Sequence, residues 1–142
     1  QTGENKHAAS ATEMWQKSRA AYHTVASEIG IRIIPVGDAF QAVSTHRKTA
    51  FIADTDFDKS SAKKPELPDQ EHSIHVGYHY NKEKLEFDSH HANDAGCYLG
   101  GLVWYTFLFN DSPTKLTFKP ASVDQKFAKQ LRKAAAKTVH NQ

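Results

Sequence analysis

The 142-residue chain has a single cysteine, Cys97, so no disulfide can form within it. It has no apolar run near the roughly 18 residues that a membrane-spanning helix needs, so no membrane partner is expected. It has no strong charge of either sign. Eighteen Lys and Arg stand against 16 Asp and Glu, for a formal net charge of +2. The basic residues are scattered and gather only near the C-terminus, whereas a nucleic-acid surface needs a basic face, so no nucleic-acid partner is expected. The start, Gln-Thr-Gly-Glu-Asn-Lys-His, has neither an initiator Met nor the apolar core of a signal peptide. The expectation is a processed, truncated or excised piece. Secretion or periplasmic residence stays open, because extracellular enzymes can also lack disulfides.

What is present fits one mixed α/β domain over residues 1–142. Residues 1 to about 9 read as disordered. Residues 10–44 read as helix, strand, helix. Ser10-Ala-Thr-Glu13 matches a capping box, and Trp15, Tyr22, Val25, Ala26 and Ile29 recur near the helical period. Gly30 closes that helix. Ile31-Arg-Ile-Ile-Pro35 has the β-branched character of a buried strand, and a turn over residues 36–40 leads into a short helix ending near Ser44. Residues 45–72, rich in Lys, Asp and Ser, read as a long surface loop, and loops of that length tend to be functional.

Residues 73–142 hold a hairpin, a short loop and the C-terminal helices. Ile74, Val76, Tyr78 and Tyr80 alternate with His75, Gly77 and His79, the pattern of a strand. A polar turn at residues 81–84 and Leu85-Glu-Phe87 complete a hairpin ending at Asp88. Asn93 or Asp94 caps a helix that is apolar nearly all round over residues 98–109 and is therefore expected to be buried. Leu116-Thr-Phe118 is extended. Ser122-Val-Asp-Gln125 is a second capping box, before a helix that turns Phe127, Ala128, Leu131 and Ala135 inward and Lys126, Lys129, Arg132, Lys133 and Lys137 toward solvent.

Asp88-Ser89-His90-His91 is the candidate catalytic segment. A general base needs an imidazole held in one tautomer by a carboxylate, so that its other nitrogen accepts a proton from a nucleophile. The Asp-x-x-His spacing places Asp88 and His91 in one tight loop. It selects His91 over His90 as the base, and leaves His90, Ser89 and Asn93 as candidates to line a substrate cleft. The plain alternative is that Asp88 caps a turn and the histidines are polar loop residues.

The stretch from Leu85 to Tyr105 resembles the last block of the SGNH (GDSL-like) hydrolases, which reads Asp-x-x-His-Pro, a few residues, Gly, then an apolar helix starting Tyr-Leu. Asp88 and His91 fall on its Asp and His, and Gly96 and Tyr98-Leu99 on the helix start. Residues 26–40, with Ile33-Ile-Pro-Val-Gly37, resemble the helix–strand–helix that precedes that block. The likeness covers roughly residues 12–44 and 73–110. It departs at Ala92, where the family has Pro. The Gly-Asp-Ser nucleophile block, the oxyanion glycine block and the Gly-x-Asn-Asp block are all absent.

The resemblance implies part of a three-layer, flavodoxin-like sheet with an extra hairpin. It implies the C-terminal part of a serine hydrolase acting on esters, acylated carbohydrate among them, with catalytic Asp88 and His91 and no cofactor. The serine would come from an N-terminal half of the same fold, and this chain alone would not turn over an ester. The alternative is an inactive SGNH-like remnant that binds a ligand or partner, including a second copy of the chain. In either case a missing half-sheet leaves an open edge that recruits another chain.

Three further sets of residues carry bland and sharp readings side by side. His75, His79, His90 and His91 are a weak metal set, against two strand histidines on a solvent face. Asp54-Thr-Asp56-Phe-Asp58 opens like a calcium loop, but Lys59 stands at position six and Pro65 at position twelve, which favours a solvated acidic turn. Cys97, just inside an apolar helix, reads as a buried inert thiol.

Overall fold

The computed structural model describes residues 8–141, so residues 1–7 of the expected disordered start lie outside the described part. The fold is mixed α/β: α1 (Ala11–Ile29), α2 (Val36–Thr45), β1 (His75–Asn81), β2 (Lys84–Ala92), α3 (Asp94–Phe109), a single 3₁₀ turn over Pro113–Lys115, and α4 (Gln125–His140). β1 and β2 form a two-stranded antiparallel sheet, and among the described residues no parallel strand joins it.

The ends of the helices follow from local chemistry. Ser10 Oγ accepts from Glu13 N–H, while the Glu13 carboxylate accepts from Ala9 N–H rather than from Ser10, so the box closes one residue early. Gly30 ends α1 in the left-handed conformation. α4 is capped by Asp124, whose carboxylate accepts from the Lys126 and Phe127 amides. The expected cap, Ser122, instead donates its hydroxyl to Asp94 at the start of α3.

The core lies where α3 packs on α4 and α2. Leu99, Val103, Leu131, Ala128 and Val43 are essentially without solvent contact. Each large aliphatic side chain buried this way contributes about 1.5–3 kcal/mol relative to exposure. Arg132, expected among the solvated cations of α4, is buried. Its guanidinium donates to Tyr98 Oη at 3.0 Å and to the Phe118 carbonyl at 3.4 Å, and Tyr98 Oη donates to the same carbonyl at 2.8 Å. A long cationic side chain thus pins the irregular 116–124 segment beneath two helices.

Three burial expectations are corrected. α1 buries only Ala26, and Tyr22, Val25 and Ile29 face solvent, because α1 packs on α2 alone. Its hold is polar: Trp15 Nε1 donates to Asp38 at 2.7 Å and Arg19 pairs with the same carboxylate at 3.2 Å. α3 is buried on one face only, with Cys97, Trp104, Leu108 and Phe109 exposed, so the thiol is not a core group. Ile31-Arg-Ile-Ile-Pro35 belongs to neither helix nor strand, because no neighbouring strand satisfies its ladder. α2 begins at Val36 with no intervening turn, and Leu116-Thr-Phe118 joins no sheet.

Residues 46–74 contain no helix or strand, as expected of the long loop. Its acidic residues organise it from within. Asp54 accepts from the amides of Asp56, Phe57 and Asp69, and Asp58 accepts from the Ser60 amide and from the hydroxyls of Ser60 and Ser61. These bonds hold the Asp58 carboxyl down at about 2, the Ser60 hydroxyl contributing most.

Leu99→Ala should therefore cost about 2–5 kcal/mol in urea denaturation with an unchanged m-value. Leu108→Ala, on the exposed face of the same helix, should stay within about 0.5 kcal/mol of the parent.

Candidate functional site

The hairpin is regular at its closed end, where Asn81 faces Lys84, Tyr80 faces Leu85 and Tyr78 faces Phe87. A two-residue turn, Lys82-Glu83, joins the strands, with Lys82 at φ 56°. Toward the open end the register shifts. Gly77 pairs with Asp88, but the next pair is His75 with Ala92. Val76 alone therefore stands against Ser89, His90 and His91, which form a bulge in β2. The expected end of the hairpin at Asp88 is thus corrected, since β2 runs on to Ala92 and the whole segment lies within it.

Two features shape the bulge from the β1 side. Gly77 sits at φ 69°, which side-chain-bearing residues rarely adopt. A Cβ there would also run into the Gln70 side chain. That amide sits on β1 as a neighbouring strand would: its oxygen accepts from Tyr78 N–H at 2.6 Å and its nitrogen donates to Tyr78 C=O at 2.9 Å. Sequence reading missed Gln70, which belongs to the long loop. Gly77 carried a signal, since an isolated glycine inside an alternating strand marks a bulge.

From the β2 side the bulge is closed by Asp88. One carboxylate oxygen accepts from His90 N–H at 2.8 Å and His91 N–H at 2.9 Å. The other lies 2.6 Å from His91 Nδ1. These bonds hold the Asp88 carboxyl well below the usual carboxylate range, the His91 amide contributing most, then the His90 amide, then the His91 ring. Asp88 is therefore an ionised acceptor near neutrality, and the neutral imidazole beside it must donate Nδ1–H. This leaves the Nε2 lone pair outward on a side chain that is 82% exposed. The tautomer is assigned from this bonding partner.

The other candidates take different places. Ser89 Oγ lies 3.3 Å from His90 Nδ1, and both side chains are exposed. Asn93 holds two elements together. Its oxygen caps α3 through Gly96 N–H at 3.0 Å, and its amide donates to Ser73 C=O at 2.9 Å. His75 packs edge-on against Phe40, with ring centroids 5.9 Å apart. Burial pushes its pKa down, opposed by Asp88 and aided by His90, so it is neutral at pH 7. His79 stands apart, its Nδ1 at 3.2 Å from Gly77 C=O. Among the described residues no group of three or more His, Cys, Asp or Glu side chains converges to hold a metal, the weak set including His75 and His79 and the Asp54–Asp58 run included.

A groove of about 1370 Å³ runs beside the bulge. Its walls are α1, residues 31–36 and α2, and Ser89, His90 and Ala92 close one end. Comparison of the chain with protein-family models, with curated proteins and with solved structures finds no match.

The Asp88 bonds have a pH signature. The folded-state pKa lies below the unfolded value of about 3.9, so the stabilisation is complete above about pH 4 and is lost as pH falls toward the folded value. Asp88→Asn should flatten that part of the acid unfolding curve. In ¹⁵N spectra of the variant, the His91 ring should lose its preference for Nδ1–H. An unchanged ring tautomer would show that Asp88 does not orient His91.

Proposed function

We propose that the chain is the C-terminal part of an SGNH-type serine hydrolase that cleaves ester bonds and contributes the general base His91 and its orienting residue Asp88. The observation that carries this reading is the 2.6 Å contact between Asp88 Oδ2 and His91 Nδ1, with Nε2 facing outward. That is the arrangement an acid–base pair needs. In the finer reading of the fold, Ile31–Ile34 is one strand of a flavodoxin-like three-layer sheet whose other strands come from the N-terminal half.

A serine hydroxyl from that half attacks the ester carbonyl, and its proton passes to His91 Nε2. Asp88 remains ionised and steadies the imidazolium. The imidazolium returns the proton to the departing alkoxide, so an alcohol leaves and an acyl-serine remains. Water then releases the acid by the same path in reverse. Ser89 does not fill the nucleophile's role, because its hydroxyl lies against His90 rather than His91 Nε2. Esters of acylated carbohydrates belong to the substrate class. The second reading is an SGNH-like remnant without activity that binds a ligand or partner, and the open groove favours it.

The chain alone should not be labelled by a fluorophosphonate probe and should not raise p-nitrophenyl acetate hydrolysis above the level of free imidazole. Labelling of Ser89, or of any serine in this chain, would remove the proposal. In a protein that joins this chain to a serine-bearing N-terminal half, His91→Ala should lower kcat on the order of 10⁴-fold or more. Activity retained in that variant would exclude His91 as the base.

A further inference from the structure

Ile31, Arg32, Ile33 and Ile34 run extended for about 13 Å with almost no main-chain bonding. Only Ile31 N–H, which donates to Ala26, and Ile34 C=O, which accepts from Val36 N–H, are used. Among the described residues the amide and carbonyl of Arg32 and Ile33 have no partner. Branched aliphatic side chains with a free ladder on an extended backbone make a template for another strand.

Two apolar helix faces flank this template. On one side α1 exposes Tyr22, Val25 and Ile29, each more than half accessible. On the other, Arg32 carries its guanidinium over the Phe107 ring of α3 at 4.6 Å, beside exposed Trp104 and Leu108. Arg32 has no carboxylate partner among the described residues. A helix or globular surface placed here would leave the free main-chain groups dry and unbonded, at about 1–3 kcal/mol for each group. A strand would satisfy them, and its side chains would alternate between the two apolar faces. The unpaired cation requires a carboxylate on that strand. The groove along the template is continuous with Ser89 and His90, so a chain lying in it reaches the candidate site.

We infer that a separate polypeptide docks here by strand addition: a branched-aliphatic strand with an acidic residue pairs with Ile31–Ile34 between α1 and α3. Delivery of a serine to His91 by that polypeptide rests on the hydrolase reading, whereas the strand addition does not.

The probe is a fluorescent, end-blocked heptapeptide of alternating valine and threonine with one central glutamate. It should bind saturably in fluorescence anisotropy, and binding should slow amide exchange at Arg32 and Ile33. Arg32→Glu should weaken binding at least tenfold, and a peptide with lysine in place of glutamate should restore it. Arg32 is exposed, so this variant tests charge rather than folding. Ile33→Pro should abolish binding by removing an amide donor. Absence of saturable binding, or exchange at Arg32 and Ile33 that the peptide does not change, would overturn the inference. So would protection that rises with protein concentration alongside a dimer in sedimentation, which would assign the edge to a second copy. His91→Ala should leave peptide binding unchanged. Peptide docking alongside an inactive joined protein would remove the hydrolase reading and leave strand addition standing.

Discussion

The packing of α3 against α4 is the contact on which the rest of the molecule depends. Leu99 and Val103 from one helix meet Ala128, Leu131 and Ala135 from the other, and α2 seals the side through Ala39 and Val43. Everything else is attached to this unit by fewer or more polar contacts. The hairpin joins through Asn93, which caps α3 with one end of its amide and holds the entry to β1 with the other. α1 joins through the Trp15 and Arg19 bonds to Asp38. A core made from one face of each helix leaves the opposite faces of α1 and α3 in water, which is why so much aromatic and aliphatic surface is exposed.

The features legible in the sequence are those decided within a few residues. Caps at Ser10 and Asn93, the left-handed stop at Gly30 and the alternation from Ile74 to Tyr80 are local, and each appears near its expected place. The approach of Asp88 to His91 belongs to the same class, since a three-residue separation closes one turn. What the pattern did not decide was which apolar residues would find neighbours. The periodicity of α1 predicts a buried face, and the face exists without a partner. Ile31–Pro35 has strand composition, yet pairing depends on chain that is not adjacent. Arg32 and Arg132 look alike in sequence, but one lies on an aromatic ring at the surface and the other is enclosed by Tyr98 and the Phe118 carbonyl.

The site shows how a short motif acquires a defined shape. Asp88 engages two amides and one ring nitrogen at once, so its charge both builds the bulge and orients His91. The carboxylate is only about one quarter exposed, while the imidazole it holds is almost wholly in solvent. A rigid anchor with an accessible tip suits proton transfer to a group that arrives from outside.

The Gln70 clip on β1 bears on how the protein behaves at high concentration. Its side-chain amide occupies the hydrogen-bonding positions of Tyr78 that an intruding strand would take, and the left-handed Gly77 bends the same edge. That stretch of β1 is thereby made a poor nucleus for edge-to-edge aggregation. The protection rests on one uncharged side chain from a long loop. Oxidation or mild acid would leave it intact, whereas deamidation of Gln70 would set a carboxylate against the Tyr78 carbonyl and open the edge. Chemical ageing of a single glutamine would then turn a guarded hairpin into a sticky one.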